Sequence, residues 1–182
     1  SNSCTQFTGS VCADDGQKSC DGGAACFYAR IGSEVINSCN GPFACDSMAL
    51  SSGDVGPLTD SCNGERACWA VAIGGGAVGP MTGSCNEERA CTTMAKDRGT
   101  VGPMIGSCND ERACYRMAIG PFKNPSLEDA GVIGPVSYSC NAANACSFSP
   151  TLPRQGPFQR TAFMNGSCNT ESGCKNYLGD AD

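Results

Sequence analysis

The chain has 182 residues, 16 of them cysteine, with a net charge of −6 and an isoelectric point near 4.6. Its basic residues are scattered rather than gathered into the stripe that nucleic-acid phosphates require, so we expect no nucleic-acid partner. No apolar run is long enough to cross a bilayer, and no signal-peptide pattern opens the chain, so we expect Ser1 to begin a mature product whose targeting segment has been removed. One compositional style throughout predicts a single domain, 1–182.

The even number and regular spacing of the cysteines indicate a disulfide framework formed in an oxidising compartment. The competing interpretation is a cytosolic metal protein. However, Cys-x5-Cys is wider than the usual zinc-ligand spacing, and the chain has no histidine to complete a mixed site. We therefore expect disulfides, no cofactor and no metal. The expected location is extracytoplasmic, either secreted or in an organelle lumen such as the thylakoid lumen.

Residues 1–19 differ from the rest, since Cys4 and Cys12 are separated by seven residues rather than five. Seven Cys-x5-Cys units follow, with first cysteines 19, 23, 23, 23, 32 and 28 residues apart. The pairs are Cys20 with Cys26, Cys39 with Cys45, Cys62 with Cys68, Cys85 with Cys91, Cys108 with Cys114, Cys140 with Cys146 and Cys168 with Cys174. A fixed period of this size predicts stacked units. We interpret 1–19 as an N-terminal cap, 20–139 as regular coils, and 140–182 as divergent coils with a second cap.

Apolar residues recur at fixed places in each unit. Four residues before the first cysteine stand Val35, Leu58, Met81, Met104, Val136 and Met164. Three residues after the second stand Ala29, Met48, Val71, Met94 and Met117, and two further on Ile31, Leu50, Ile73, Lys96 and Ile119. Apolar residues two apart predict short strands, and Gly, Pro and Ser interrupt every window that a helix would need. The expected fold is all-β, a disulfide-stapled parallel β-helix (β-solenoid) of about seven coils, because the rhythm of leucine-rich repeats is missing.

An asparagine follows the first cysteine in six units, and Asp21 takes its place in the Cys20 unit. The six are Asn40, Asn63, Asn86, Asn109, Asn141 and Asn169. At the ~4.8 Å spacing of stacked strands, each amide can donate to one neighbour and accept from the next. We expect an asparagine ladder inside a turn.

Each Cys-x5-Cys pair spans a tight corner and can meet the Cα separation of a disulfide. Stacking would also bring equivalent cysteines of adjacent units together, so bonding between coils is geometrically allowed. We favour pairing within the unit, because each coil then closes itself even where insertions alter the stacking. Eight bridges result, including Cys4–Cys12.

The phrase Ser-Cys-Asn-x-x-x-Ala-Cys, present from Ser61, Ser84 and Ser107, resembles the cysteine-rich tandem repeats of secreted or organelle-targeted proteins of marine microalgae and some bacteria. The similarity covers roughly residues 20–175. It implies a disulfide-stapled β-solenoid and an extracytoplasmic location, and it implies no reaction. The last two units depart from the phrase, since Ala143-Asn144 and Ser172-Gly173 replace Glu-Arg.

An acidic column, Glu65, Glu88 and Glu111, suggests one alternative function, an enzyme acting on polysaccharide, because stacked carboxylates approach the ~5 Å separation of a retaining glycosidase pair. Each glutamate is followed by an arginine: Arg66, Arg89 and Arg112. Ladders of opposite charge are usually a solvated face whose pairs contribute little each. We therefore favour a protein without catalytic residues.

Two further patterns are discounted. Residues 74–79 match Gly-x-Gly-x-x-Gly, but neighbouring units place 52–56 and 98–102 in the same register, so we interpret the string as a repeated turn rather than a dinucleotide site. Ice binding, a second alternative function, would need a regular threonine file. The equivalent positions read Thr59, Thr82, Ile105 and then Tyr138, so the file ends after two threonines.

The insertions carry our preferred functional hypothesis. The unit after Cys114 is nine residues longer than 23, and the unit after Cys146 is five longer. Both should emerge on one face, and insertions in repeats often map to the binding face. Aromatic and basic side chains are typical interface anchors, and we expect these to bind partners: Phe122, Lys123, Arg154, Phe158 and Arg160. We therefore expect a noncatalytic structural or docking solenoid that binds protein partners as a subunit of a secreted or lumenal assembly.

Overall fold

The computed structural model describes residues 19–31, 34–118, 132–147, 160–161 and 164–174. Within these ranges the chain is all-β, without helix, and contains eleven strands of two residues each. One sheet contains β1 (Val35–Ile36), β3 (Leu58–Thr59), β5 (Met81–Thr82), β7 (Met104–Ile105), β9 (Val136–Ser137) and β11 (Met164–Asn165). The other contains β2 (Asp54–Val55), β4 (Ala77–Val78), β6 (Thr100–Val101), β8 (Val132–Ile133) and β10 (Arg160–Thr161).

All strand pairs in both sheets are parallel and join equivalent residues of successive repeats. Leu58 pairs with Met81, and Met81 pairs with Met104. The strands follow one another in repeat order across each sheet. The fold is therefore solenoid-like, as the sequence period predicted.

Left-handed backbone conformations set the turns of each repeat. We number positions from the first cysteine as zero, so the second cysteine is +6. In the Cys62 repeat, positive φ occurs at −2, 0, +4, +8 and +10: Asp60, Cys62, Arg66, Ala70 and Ala72. A residue in this region reverses the local twist and ends any strand. Asp60 consequently ends β3 directly after Thr59.

These turns make one strand prediction wrong. The apolar residues after the second cysteine were expected to alternate along a strand, but no strand is found there in the described residues. In the Cys62 repeat, Val71 and its neighbour Ala72 are both buried, whereas Ile73 is half-buried. The positive φ of 55° at Ala72 turns the chain and replaces the alternation.

The core consists of columns of equivalent side chains. Position −4 is buried in every described repeat that has it, as predicted, and so is position +9. Between them lie the alanines at +5 and both cysteines. The largest fully buried side chains include Leu58, Met81, Met94 and Met104. Burying such side chains is the main favourable contribution to folding, about 1.5–3 kcal/mol each.

Hydrogen bonds between repeats extend well beyond the strands. The Cys68 amide donates to the Ala44 carbonyl of the preceding repeat at 2.7 Å, and the Cys62 amide donates to the Ser84 carbonyl of the following repeat at 3.0 Å. Buried backbone groups must be paired in this way, because each unpaired one carries a desolvation cost.

A buried serine ladder runs beside the disulfides at position −1. The Ser84 amide donates to Ser61 Oγ at 3.2 Å, and Ser61 Oγ donates to the Thr59 carbonyl at 2.8 Å. The same pattern repeats along the array, and each of its inner serines is completely buried: Ser38, Ser61, Ser84, Ser107 and Ser139. Serine suits this position because its small hydroxyl side chain can both accept and donate a hydrogen bond.

The asparagines form the predicted file, but their hydrogen bonds differ from the predicted ones. Asn86 Oδ1 accepts from the backbone amide of Asn63 at 3.2 Å, and Asn86 Nδ2 donates to the backbone carbonyl of Asp60 at 2.9 Å. The amides therefore bond to the main chain of the preceding repeat rather than to each other. Two turn groups beyond the ends of the strands are satisfied in this way by each of Asn63, Asn86, Asn109, Asn141 and Asn169.

Seven disulfides close the described repeats, and each joins the two cysteines of one unit, as predicted. The bonded pairs are Cys20 with Cys26, Cys39 with Cys45, Cys62 with Cys68, Cys85 with Cys91, Cys108 with Cys114, Cys140 with Cys146 and Cys168 with Cys174. Their Cα atoms lie 5.4–5.6 Å apart. The alternative of bonding between coils is therefore wrong for these seven units.

The disulfides differ in their surroundings along the array. Both sulfurs of the first bridge are buried, since Cys20 and Cys26 are completely covered, and so are Cys39 and Cys45 of the next. At the other end, Cys168 and Cys174 are only half-buried. Cys4 and Cys12, the eighth predicted bridge, lie outside the described residues, as does most of the proposed N-terminal cap.

Adjacent disulfides also stack. The Sγ atoms of Cys91, Cys108 and Cys114 lie within 4.8 Å of one another, although they belong to two repeats. The proximity between equivalent cysteines that was expected from stacking is therefore present, but each sulfur bonds within its own unit. The short loop between paired cysteines makes that choice possible without any change in the stacking.

The glycine string 74–79 repeats in register with the neighbouring units, as predicted, but only Gly74 and Gly75 form a bend. Its residues Ala77 and Val78 form β4, in register with Asp54 and Val55 of the preceding repeat. A Cβ at Gly76 would collide with the Ala95 carbonyl oxygen of the next repeat. Gly53 and Gly99 meet the same obstacle at equivalent positions, so the close approach of the repeats requires glycine.

Candidate binding groove

A groove of about 740 Å³ runs along the array on the side of the disulfide corners. Its lining residues come from positions +4 and +7 of five successive repeats. Position +4 contributes Phe43, Arg66, Arg89, Arg112 and Asn144, and position +7 contributes Asp46, Trp69, Thr92, Tyr115 and Ser147. At the ~4.8 Å spacing of stacked strands, five repeats extend over about 19 Å.

One tight turn per repeat builds the two walls of this groove. The +7 amide donates to the +4 carbonyl, as in Trp69 to Arg66 and Tyr115 to Arg112, both at 3.2 Å. The +4 residue is left-handed, with φ of 52° at Arg66 and 53° at Arg112. Between the walls, the alanine at +5 is buried in each of the five repeats and anchors the turn to the core.

The first wall is a file of three arginines. The Arg66 guanidinium carbon lies 5.5 Å from the centroid of the Phe43 ring, one repeat below. The Nε atoms of Arg89 and Arg112 lie 3.6 Å and 3.7 Å from the carboxylates of their preceding residues, Glu88 and Glu111. Each guanidinium is thus held by a contact on one edge, and the side chains of Arg89 and Arg112 remain 33% and 43% exposed.

The second wall alternates aromatic and small polar residues. Trp69 is 40% exposed, and the Tyr115 ring, two repeats further on, carries the Arg116 guanidinium 5.6 Å from its centroid. Between them, Thr92 is buried and its hydroxyl donates to the Arg66 carbonyl at 2.9 Å. Thr92 therefore leaves a gap between two ring surfaces.

Most of the predicted partner-binding residues cannot be placed. Phe122, Lys123, Arg154 and Phe158 lie outside the described residues, and only the backbone of Arg160 is described. Arg160 pairs with Val132 in β10 and β8. The chain therefore returns from both insertions at equivalent positions of adjacent repeats.

The charged ladders are aligned as predicted, since the Arg89 amide donates to the Glu65 carbonyl and the Arg112 amide to the Glu88 carbonyl. Glu65, Glu88 and Glu111 are exposed. Arg66, Arg89 and Arg112 are half-buried and also form a wall of the groove. The interpretation of both ladders as solvent-facing was therefore incomplete.

The alignment used for the threonine file was wrong by one residue. Ile105 pairs with Ser137, not with Tyr138, in the register of β7 and β9. The outward positions after Thr59 and Thr82 therefore read Ile105 and Ser137. The file still ends after two threonines.

The sequence reasoning missed the groove because it did not examine the residue directly after the second cysteine. That position reads Phe27, Asp46, Trp69, Thr92, Tyr115, Ser147 and Lys175. Aromatic residues occupy it in the first, third and fifth of the seven units, and Lys175 ends the alternation. The alternation up to Tyr115 could be read from the sequence. That the residues at +4 lie opposite it could not.

The fold and the groove define a disulfide-rich, all-β protein with parallel strands and a solenoid-like repeat. No family model, no curated protein and no solved structure matches the chain. Within the described ranges there is also no helix that is long and apolar enough to span a bilayer.

Proposed function

We propose that this protein is a noncatalytic docking solenoid, a parallel β-helix of about seven coils that binds protein partners within a larger assembly. Its seven described disulfides are compatible with an oxidising environment. With the resemblance to secreted or organelle-targeted algal and bacterial repeats, they support a secreted or lumenal location, and the thylakoid lumen is one such compartment.

The observation that carries the docking role is a pair of exposed apolar side chains, Ile105 at 44% and Tyr138 at 62% exposed. Val132 in β8, the first described residue after the first insertion, is also exposed, at 39%. Tyr138 and Ile105 are neighbours, because the Tyr138 amide donates to the Ile105 carbonyl at 2.8 Å. Exposed apolar side chains grouped in this way are typical of protein-binding surfaces.

The rigidity of the array supports this role. Each repeat is closed by its own disulfide and bonded to its neighbours through serine, asparagine and backbone groups. A surface held in this way loses little conformational entropy on binding, which favours affinity.

Association with a purified partner tests the proposal. A photo-crosslinking phenylalanine analogue at Tyr138 should yield one product of defined mass in the native source, whereas the same analogue at the exposed Glu87 should not. Ile105→Asp should then weaken binding of that partner at least about tenfold, because it buries a charge at the interface.

Thr82→Asp is the matched control, since Thr82 occupies the same outward position one repeat earlier. Its binding should be close to that of the unaltered protein. Equal crosslinking at both positions, or unchanged binding by the Ile105 variant, would contradict the docking face.

A further inference from the structure

We propose that the groove between positions +4 and +7 binds a linear, uncharged polysaccharide in an extended conformation, with one sugar ring per repeat. The groove lies at the disulfide corners, whereas the docking face lies at Ile105 in β7 and the adjacent Tyr138. Either proposal can therefore be refuted without affecting the other.

The spacing of the repeats is the first argument for a sugar ligand. Successive repeats present one arginine each at Arg66, Arg89 and Arg112, about 4.8 Å apart along the axis. This distance is close to the length of one pyranose ring in an extended chain. Each sugar can therefore place its hydroxyl groups against one guanidinium, whose N–H groups are all donors.

The alternation of aromatic and small polar residues along the +7 wall is the second argument. Trp69 and Tyr115 stand two repeats apart, about 10 Å, and Thr92 leaves a gap between them. In a ribbon-like β-1,4-linked chain, every second ring presents the same face. Two such faces can pack on Trp69 and Tyr115, since aromatic rings bind apolar C–H surfaces while their polar edges remain available for hydrogen bonds.

Phe27 occupies position +7 two repeats before Trp69, so the aromatic period continues beyond the groove itself. Phe27 is half-buried and packs edge-on against the Tyr28 ring, with centroids 4.1 Å apart. The period therefore covers three aromatic residues over four repeat steps.

The charge of the groove selects an uncharged ligand. Glu88 and Glu111 pair with two of the three arginines, and Asp46 adds a further carboxylate to the opposite wall. The walls therefore offer paired donors and acceptors with little net positive charge. A nucleic acid or another polyanion needs a cationic groove that follows its backbone, and this groove lacks one.

Peptides match the spacing less well. An extended peptide places same-face side chains about 6.6 Å apart, so it drifts out of register with repeats at ~4.8 Å. A polyproline helix repeats about every 9.3 Å, which suits the two aromatic residues. Its backbone carbonyls, however, recur about every 3.1 Å and so do not keep register with one arginine per repeat at ~4.8 Å.

The test uses the full, oxidised protein and linear β-1,4-linked oligosaccharides of glucose, mannose and N-acetylglucosamine. Trp69 is the only tryptophan in the chain, so its fluorescence reports directly on the groove. At least one of these sugars should shift the emission of Trp69 to shorter wavelength. Affinity should rise from the disaccharide to the pentasaccharide and then level off, because five repeats line the groove.

Two variants locate the site by calorimetry. Trp69→Ala and Tyr115→Ala should each weaken binding at least about tenfold, because each removes one stacking surface. Glu87→Ala, at an exposed residue outside both the groove and the docking face, should bind like the unaltered protein. Disulfide content by mass spectrometry and resistance to protease show that each variant is folded, and either groove variant suffices for the test.

Salt and competitors separate the ligand classes. Binding of an uncharged sugar should change little between low and high salt, whereas polyanion binding is screened. The proposal is overturned if none of the three oligosaccharide series binds, or if both groove variants bind unchanged. It is also overturned if only sulfated polymers or single-stranded nucleic acid bind at low salt, or if a proline-rich peptide binds in place of the sugars.

Discussion

Removing one hydroxyl group from the serine ladder should destabilise the protein far more than the small size of that group suggests. Ser84 is completely buried, and its Oγ accepts the Ser107 amide at 3.2 Å and donates to the Thr82 carbonyl at 3.0 Å. In Ser84→Ala, the Thr82 carbonyl keeps the bond from the Gly106 amide at 2.9 Å. The buried Ser107 amide loses the acceptor described for it.

An unsatisfied buried donor costs about 1–3 kcal/mol, so we expect Ser84→Ala to lower the free energy of unfolding by about 2 kcal/mol. Guanidinium unfolding without reductant, followed by Trp69 fluorescence, measures this loss. Hydrogen exchange adds a local measurement, because the Ser107 amide should exchange faster than its neighbours in the variant.

Ser167→Ala is the matched control. Ser167 occupies the same ladder position but is half-buried, and no backbone amide of the described residues donates to its Oγ. We expect a change below about 0.5 kcal/mol. If Ser84→Ala is no more harmful than this control, the ladder does not stabilise the stack as argued.

Three further tests address other parts of the structure. Gly76→Ala should prevent normal stacking because its Cβ would meet the Ala95 carbonyl, whereas Gly83→Ala has open space and should cost only about 1 kcal/mol for its left-handed φ of 57°, as thermal unfolding would show. Replacing Cys85 and Cys91 together by Ala should cost about 2 kcal/mol through the entropy of a seven-residue loop, in addition to any packing loss, and an unchanged denaturation midpoint would contradict this. Glu88→Gln removes an exposed ion pair with Arg89 and should change stability by less than about 0.5 kcal/mol; loss of turnover on a polysaccharide in this variant would instead support the enzyme hypothesis.

Much of the architecture could be predicted from the period alone. Equivalent residues of stacked repeats must become neighbours, so a 23-residue repeat indicates that Leu58, Met81 and Met104 lie in one column. The short loop between paired cysteines likewise indicated bonding within each unit, as in Cys62–Cys68. Counting back three residues from Cys140 also gives Ser137, and not Tyr138, as the partner of Ile105.

The period does not specify how positions within one repeat are arranged, because this depends on the sign of φ at each turn. Non-glycine residues such as Arg66 and Ala72 adopt left-handed conformations that their residue types do not favour, and contacts with adjacent repeats hold them there. The left-handed turn at Arg66 brings +4 and +7 together as groove walls, and the one at Ala72 removes a predicted strand. The amino-acid sequence thus determined which side chains stack in columns along the axis. Only the tertiary structure decided which of these columns lie opposite each other, as the +4 and +7 columns do across the groove.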